Sequence, residues 1–301
     1  MRTFLEEKVE LIFEAHHTEL DKISIIIPNK RAAVYIQKYL ATLNEGALFA
    51  PEILTINEWV DQNTPQRIIT QTELLFILYE VHKTIEGEAA EDFNSFIKWG
   101  KIMLSDFDEV DRYLIPPKLI FRDLRNIKEI ENWSFLEEEL SPGQEKYKTL
   151  WDKLPTYYNV LRDELTKRNA LYQGAAYQQF YDELNRENRD EDLLANHYYF
   201  LGFNALSNSE EAIMRLLLKE RKATVFFDID KSYFDSQEHE AGHFYRKILM
   251  RWAIRKEVGT HFNDEPKHFR VIETAQQIAQ TKIAGSIIEQ LLDEGVDMDK
   301  T

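Results

Sequence analysis

Residues 239–243 read His-Glu-Ala-Gly-His, the spacing His-Glu-x-x-His. On an α-helix, histidines at i and i+4 share a face and can bind zinc, while the intervening glutamate activates a metal-bound water. That chemistry would use His239 and His243 as ligands and Glu240 as the base. A third ligand is also required, and His261, Asp264 and His268 are candidates that nothing in the pattern ranks. The flanks argue for a solvated helix start: Asp235, Ser236, Gln237 and Glu238 precede the motif, and Arg246-Lys247 follow it. Gly242 also weakens a helix interior by about 1 kcal/mol. A zinc metallohydrolase is therefore the alternative reading, and no metal or other cofactor is expected.

A second set of residues suits phosphate. Asn29, Lys30 and Arg31 follow the run Ile23-Ser-Ile-Ile-Ile27 and Pro28. They would sit at the carboxyl end of a buried strand, where open α/β sheets place their ligands. Residues 246–256 contain Arg246, Lys247, Arg251, Arg255 and Lys256 and no acid. Lys247, Arg251 and Arg255 recur every four residues, so a helix would line them up for phosphate-backbone contacts or simply for water. Tyr198, Tyr199, Phe200 and Phe203 could stack bases. A buried strand would claim Phe200, whereas Phe203 and Asn204, beyond Gly202, remain open to a strand of nucleic acid.

Equally informative is a missing loop. A P-loop requires Gly-x-x-x-x-Gly-Lys-Ser/Thr to wrap backbone N–H groups around phosphates. The chain has 10 glycines, and the one followed by lysine is Gly100, before Lys101 and Ile102 in a helical pattern. ATP binding by this route is not expected. Asp228 could end a strand and hold magnesium, but no glutamate follows to orient a water. Glu265-Pro266-Lys267 has a Glu-x-Lys spacing with no Pro-Asp pair upstream, and Pro266 spoils a central strand.

The elements that must position these residues alternate between two periods. Five residues at 23–27, four of them isoleucine, predict a fully buried strand. Pro28 stops it, and Ala33, Ile36, Leu40 and Leu43 predict a helix face. Further strands are expected at 53–56, 198–201, 224–229 and 269–272. Between them, three helical faces recur: Leu74, Leu78, Val81 and Ile85; Phe96, Gly100, Met103, Phe107, Val110 and Leu114; and Trp151, Leu154, Tyr158, Leu161 and Leu165. Pro116-Pro117 and Ser141-Pro142-Gly143 punctuate them as turns. The expected fold is α/β, a mostly parallel sheet interrupted by a large all-helical insertion. The boundaries are 1–65 for the first part of the sheet domain, 66–192 for the insertion and 193–301 for the second part and the start of a further segment.

Composition excludes several classes. The chain has 301 residues, 44% hydrophobic and 30% charged, as expected for a globular protein. No apolar run approaches a membrane span, and Glu6 and Glu7 do not fit a signal peptide. With no cysteine, disulfide and thiolate chemistry are absent, which suits a reducing cytoplasm. A net charge of −16 argues against a protein that coats nucleic acid generally, while leaving room for a local basic patch.

Several of these segments together carry a family resemblance. Pro28-Asn-Lys-Arg-Ala-Ala33 resembles the single-strand-contacting motif of superfamily 1 helicases. In order along nearly the whole chain follow Pro51-Glu-Ile-Leu-Thr-Ile-Asn-Glu-Trp-Val60, Trp99 with Leu104-Ser-Asp-Phe-Asp-Glu-Val-Asp-Arg-Tyr-Leu114, Phe200-Leu-Gly-Phe-Asn-Ala-Leu-Ser-Asn-Ser-Glu-Glu211 and Gln277-Ile-Ala-Gln-Thr-Lys-Ile-Ala-Gly-Ser-Ile-Ile288. This ordered set resembles the amino-terminal half of AddB-type helicase–nuclease subunits, the PD-(D/E)XK nuclease family proteins. The resemblance implies a RecA-like, P-loop NTPase-like sheet that has lost its P-loop. It also implies a place in DNA double-strand-break processing and recombinational repair, with single-stranded DNA or duplex ends and a helicase–nuclease partner subunit as binding partners. The family's nuclease domain lies far toward the carboxyl end, so this chain is expected to be a non-catalytic piece of an exonuclease and helicase component. A structural, partner-binding role for helices in 70–190 is a further alternative.

Overall fold

The computed structural model describes residues 2–44, 46–47, 49–122, 142–189, 196–252, 254, 256–264 and 269–296; the side chains of 142–150, 263 and 264 are not among what it describes. Met1–Gly259 form one compact unit and Thr260–Thr301 a second.

Six strands occur among the described residues: β1 (Ile23–Ile27), β2 (Glu52–Thr55), β3 (Arg67–Ile68), β4 (Ala170–Leu171), β5 (His197–Leu201) and β6 (Ala223–Phe226). Four of them form one sheet in the order β2-β1-β5-β6, every pair parallel. The other two, β3 and β4, form a separate parallel pair. All five residues of β1 are buried, the polar Ser24 included, which is why its four isoleucines do not alternate with exposed polar residues. Its side chains divide between two layers. Ile23, Ile25 and Ile27 join Tyr199 and Leu201 against α1 (Phe4–His16) and α2 (Lys30–Leu43). Ile26, Tyr198 and Phe200 join the larger core on the other face, with α3 (Ile56–Gln62) and the helical segment.

Four longer helices make up most of that segment: α4 (Gln71–Glu86), α5 (Phe93–Arg112), α6 (Pro142–Lys167) and α7 (Gln173–Leu184). The expected faces are its interior. Leu74, Leu78 and Val81, then Phe96, Met103 and Phe107, then Tyr158, Leu161 and Leu165 are all buried in one core, and Val110 is buried as well. The described residues of this segment lie in the same compact unit as the sheet, Met1–Gly259. The pair β3–β4 ties the start of the segment to the stretch between α6 and α7, through Arg67 opposite Ala170 and Ile68 opposite Leu171. Two residues per strand leave no readable period.

The chain continues through α8 (Asn208–Lys219), α9 (Lys231–Asp235) and α10 (His243–Arg251). The crossovers β1–α2–β2 and β5–α8–β6 leave the central pair in opposite directions. Their helices lie on opposite faces, α2 in the smaller core and Ile213, Met214 and Leu217 of α8 in the larger. Right-handed parallel crossovers require this arrangement when strand order reverses. The reversal falls between β1 and β5.

Several expected bounds move. The second strand is Glu52–Thr55, because Thr55 is the N-cap of α3 and Ile56 its first residue. The strand expected at 224–229 stops at Phe226. Residues 269–272 form no strand; Phe269 is 85% and Val271 97% exposed, so their β-prone side chains lack a sheet to join. Leu114 leaves its helix at φ +53°. Pro142 and Gly143 open α6 where a turn was expected, Pro fitting a first helical turn, and Ser141 lies outside the described residues. In the second unit, α11 (His261–Asp264) and α12 (Gln277–Asp293) are the described helices. No described helix is long and apolar enough to cross a membrane.

Candidate nucleic-acid interface

The crevice outside the carboxyl ends of β1 and β5 is the switch point of the sheet, where open α/β folds bind ligands. Both turns that border it carry residues singled out from the sequence. Pro28, Asn29, Lys30 and Arg31 are all exposed, immediately beyond a strand with no exposed residue. From β5, Gly202 takes φ +73°, a left-handed conformation that suits glycine, and leads to exposed Asn204.

Helix starts differ at this end of the sheet. Thr55 caps α3 in a capping box with Glu58, and Ser207 caps α8 in another with Glu210. Asn29 precedes α2 in an extended conformation, φ −151° and ψ 154°, and its side chain makes no capping hydrogen bond. The first N–H groups of this 14-residue helix therefore lack a side-chain acceptor from the cap, at the positive end of the helix dipole. Such a terminus accepts phosphate oxygens.

Glu58 lies across this site. Its Oε1 is 2.5 Å from Lys30 Nζ, while its Oε2 accepts the Thr55 N–H at 3.0 Å and the Thr55 hydroxyl at 2.8 Å. The hydrogen bond from Lys30, and then those from Thr55, pull the Glu58 carboxyl down to about 2. Lys30 is nevertheless 78% exposed, so solvent screens the pair and its net stabilisation is small. Arg31 has no ion-pair partner among the described residues. The sequence signal for Glu58 was available, since Thr-x-x-Glu before a helix is the capping-box spacing.

Other expected site residues fare differently. Phe203 is 5% exposed, with its ring 6.0 Å from that of Phe200, so it belongs to the core and has no free face for a base. Tyr198, Tyr199 and Phe200 are buried as well. Lys247 and Arg251 share α10, but that helix ends at Arg251, and Arg255 lies outside the described residues. Arg251 pairs with Glu211 at 2.9 Å and lines a groove of about 810 Å³ with Arg215 and Lys219. No residue of the 28–31 or 203–204 turns lines that groove.

The His-Glu-x-x-His segment does not form one α-helix. Glu240–Gly242 is a 3₁₀ turn, and α10 starts only at His243. His239 Nδ1 accepts the Ala241 N–H at 3.2 Å, the role of a cap. Gly242 is required for packing, because a Cβ there would fall 2.3 Å from the Tyr233 carbonyl oxygen. Residue 268 and the Asp264 side chain lie outside the described residues, and His261 belongs to the second unit. Among the described residues no cluster of three metal-ligating side chains occurs.

Within the helical segment, Asp111 anchors the last turn of α5. It is fully buried and accepts from the Tyr158 hydroxyl at 2.5 Å, from Arg162 Nη1 at 3.1 Å and from the Tyr172 hydroxyl. Burial pushes its carboxyl up, against the opposing pull of Arg162 and the two phenols. The residue that follows α5 meets α8: Asn208 Nδ2, at the start of that helix, donates to the Tyr113 carbonyl at 2.9 Å.

No protein-family model matches the chain. Over 107 residues the chain is 28% identical to an uncharacterized HTH-type transcriptional regulator, YyaN, of Bacillus subtilis (strain 168). The similar region covers 36% of this chain and 75% of that protein.

Proposed function

We propose that this chain is a helicase-like scaffold that holds nucleic acid and does not hydrolyse ATP, as a part of a helicase–nuclease subunit in DNA break processing. On this reading the parallel sheet is a RecA-like motor fold without its phosphate loop. The carrying observation is the position of Asn29, Lys30 and Arg31. Two exposed cations and a helix start without a side-chain cap stand together at the switch point of a parallel sheet. That combination fits the phosphates of a strand, and phosphate contacts carry no sequence information, so it favours binding without sequence preference. The AddB-type resemblance supports the same ligand and adds the setting: DNA repair and recombination, with a nuclease-bearing partner. In this setting the chain contributes binding and shape, and the chemistry is done elsewhere in the assembly. The test is fluorescence anisotropy with labelled single-stranded and duplex DNA of one sequence. The reading expects preference for the single strand and several-fold weaker binding by the Lys30→Ala/Arg31→Ala variant. Equal binding by variant and wild type would remove these residues from the interface.

The likeness to an HTH-type transcriptional regulator favours a second reading, a duplex-binding regulator. The same experiment separates the two. A duplex preference that depends on sequence would support the regulator reading.

A further inference from the structure

Single-strand binding sites combine cations along the backbone with aromatic faces on which bases stack. The crevice has the cations, but Phe203, its expected aromatic, is buried. Another aromatic arrives at the same end of the sheet from the helical segment. Tyr113 follows the last residue of α5 and is 41% exposed. Its carbonyl accepts from Asn208, the first residue of the helix that leaves the carboxyl end of β5. The β5 turn that precedes this helix includes exposed Asn204, and β5 pairs directly with β1, whose turn carries Lys30 and Arg31.

The backbone around Tyr113 is firmly held. Its N–H donates to the Glu109 carbonyl at 2.8 Å, Leu114 N–H to Asp111 at 3.0 Å and Ile115 N–H to Val110 at 2.9 Å. Leu114 takes φ +53°, a conformation leucine rarely adopts and one that ends the helix sharply. One residue before Arg112, the buried Asp111 cluster fixes the helix end from the other side. A partly exposed aromatic on a rigid support loses little freedom when a base stacks on it.

We propose that Tyr113 is the stacking platform for a base of the strand whose phosphates are held at Lys30 and Arg31. The inference rests on the nucleic-acid reading of the crevice and sharpens it. A base inside a continuous duplex is covered on both faces, so a platform at Tyr113 favours an unpaired strand.

The test uses the full chain with two fluorescent oligonucleotides of equal length, one of thymidylate and one of abasic backbone. Tyr113→Ala is expected to weaken thymidylate binding by about five- to a hundredfold, the range for loss of one base–aromatic stack. Abasic binding and its salt dependence should not change. Tyr113→Phe, which keeps the ring, should bind thymidylate as wild type does. The proposal is overturned if Tyr113→Ala binds thymidylate normally, or if it loses both ligands equally, as a misfolded site would. Lys30→Ala/Arg31→Ala, run in parallel, separates the two levels. Weaker binding by that variant, with Tyr113→Ala unaffected, sinks the platform alone. No effect of the cation variant, or no binding by wild type, sinks the crevice reading and the platform with it.

Discussion

Replacing Asp111 by alanine should unfold the helical segment at a measurably lower temperature. The carboxylate has no exposed surface and takes hydrogen bonds from Tyr158, Arg162 and Tyr172. Deleting it leaves a guanidinium and two phenols without their shared acceptor. Removing one partner of a buried ion pair costs about 3–5 kcal/mol. The Arg162 side chain is 29% exposed and can regain some water, so the low end, about 3 kcal/mol, is the appropriate figure. At about 2 °C per kcal/mol for a chain of this size, the melting temperature should fall by about 6 °C. Circular dichroism during heating at neutral pH reads this directly. Asp111→Asn keeps an acceptor and should lose less. Adding Arg162→Met to Asp111→Ala should cost less than Arg162→Met alone, since the pair is already broken. A melting temperature for Asp111→Ala within about 2 °C of wild type would refute the reasoning, because the cluster would then be doing no more than a surface contact does.

Glu58→Gln should tighten single-strand binding by about 1.5- to fivefold, the equivalent of one exposed ion pair that no longer competes for Lys30. Glutamine at this position can still close the capping box with Thr55, so the melting temperature should hardly move. The Glu58 carboxyl is lowered from 4.5 to about 2 in the fold. Its ion pair is therefore fully formed above about pH 4.5 and is lost as pH falls through about 2. The affinity ratio of Glu58→Gln to wild type should accordingly stay flat between about pH 5 and pH 8, measured by anisotropy in matched salt. In the helical segment, a Cβ at Gly174 would fall 2.1 Å from the Asp108 carbonyl oxygen. Gly174→Ala should destabilise by about 1–3 kcal/mol through forced separation of α5 and α7, read by urea unfolding.

What could be read from the sequence followed the strength of each local signal. Ile23–Ile27 was plain because both faces of β1 are covered, so four of its five residues are isoleucine, and the polar one, Ser24, is buried with hydrogen-bond partners in Glu52 and Asn196. The three helical faces were legible for a similar reason, since each lies against one continuous core. The stretch at 269–272 misled because β-branched and aromatic residues carry the same propensity whether or not a sheet edge is there to receive them. His239 and His243 have zincin spacing, but spacing implies a shared face only on a continuous α-helix, and the 3₁₀ turn at Glu240–Gly242 intervenes. Phe203 was misplaced because one residue beyond a glycine decides between core and crevice. Tyr113 could not be found at all from local pattern. It meets the start of α8 through the hydrogen bond from Asn208, 95 residues away in the chain.

Lys30 and Arg31 are proposed to contact the phosphates of a single strand. The most direct test is the salt dependence of single-strand affinity for wild type and for Lys30→Ala/Arg31→Ala. Each phosphate contact contributes about 0.7 to the slope of log affinity against log salt for a single strand, so losing two should reduce it by about 1.4. A variant with weaker binding and a slope shallower by that amount is the predicted result. Identical slopes for variant and wild type would mean that neither side chain touches a phosphate, whatever the affinities.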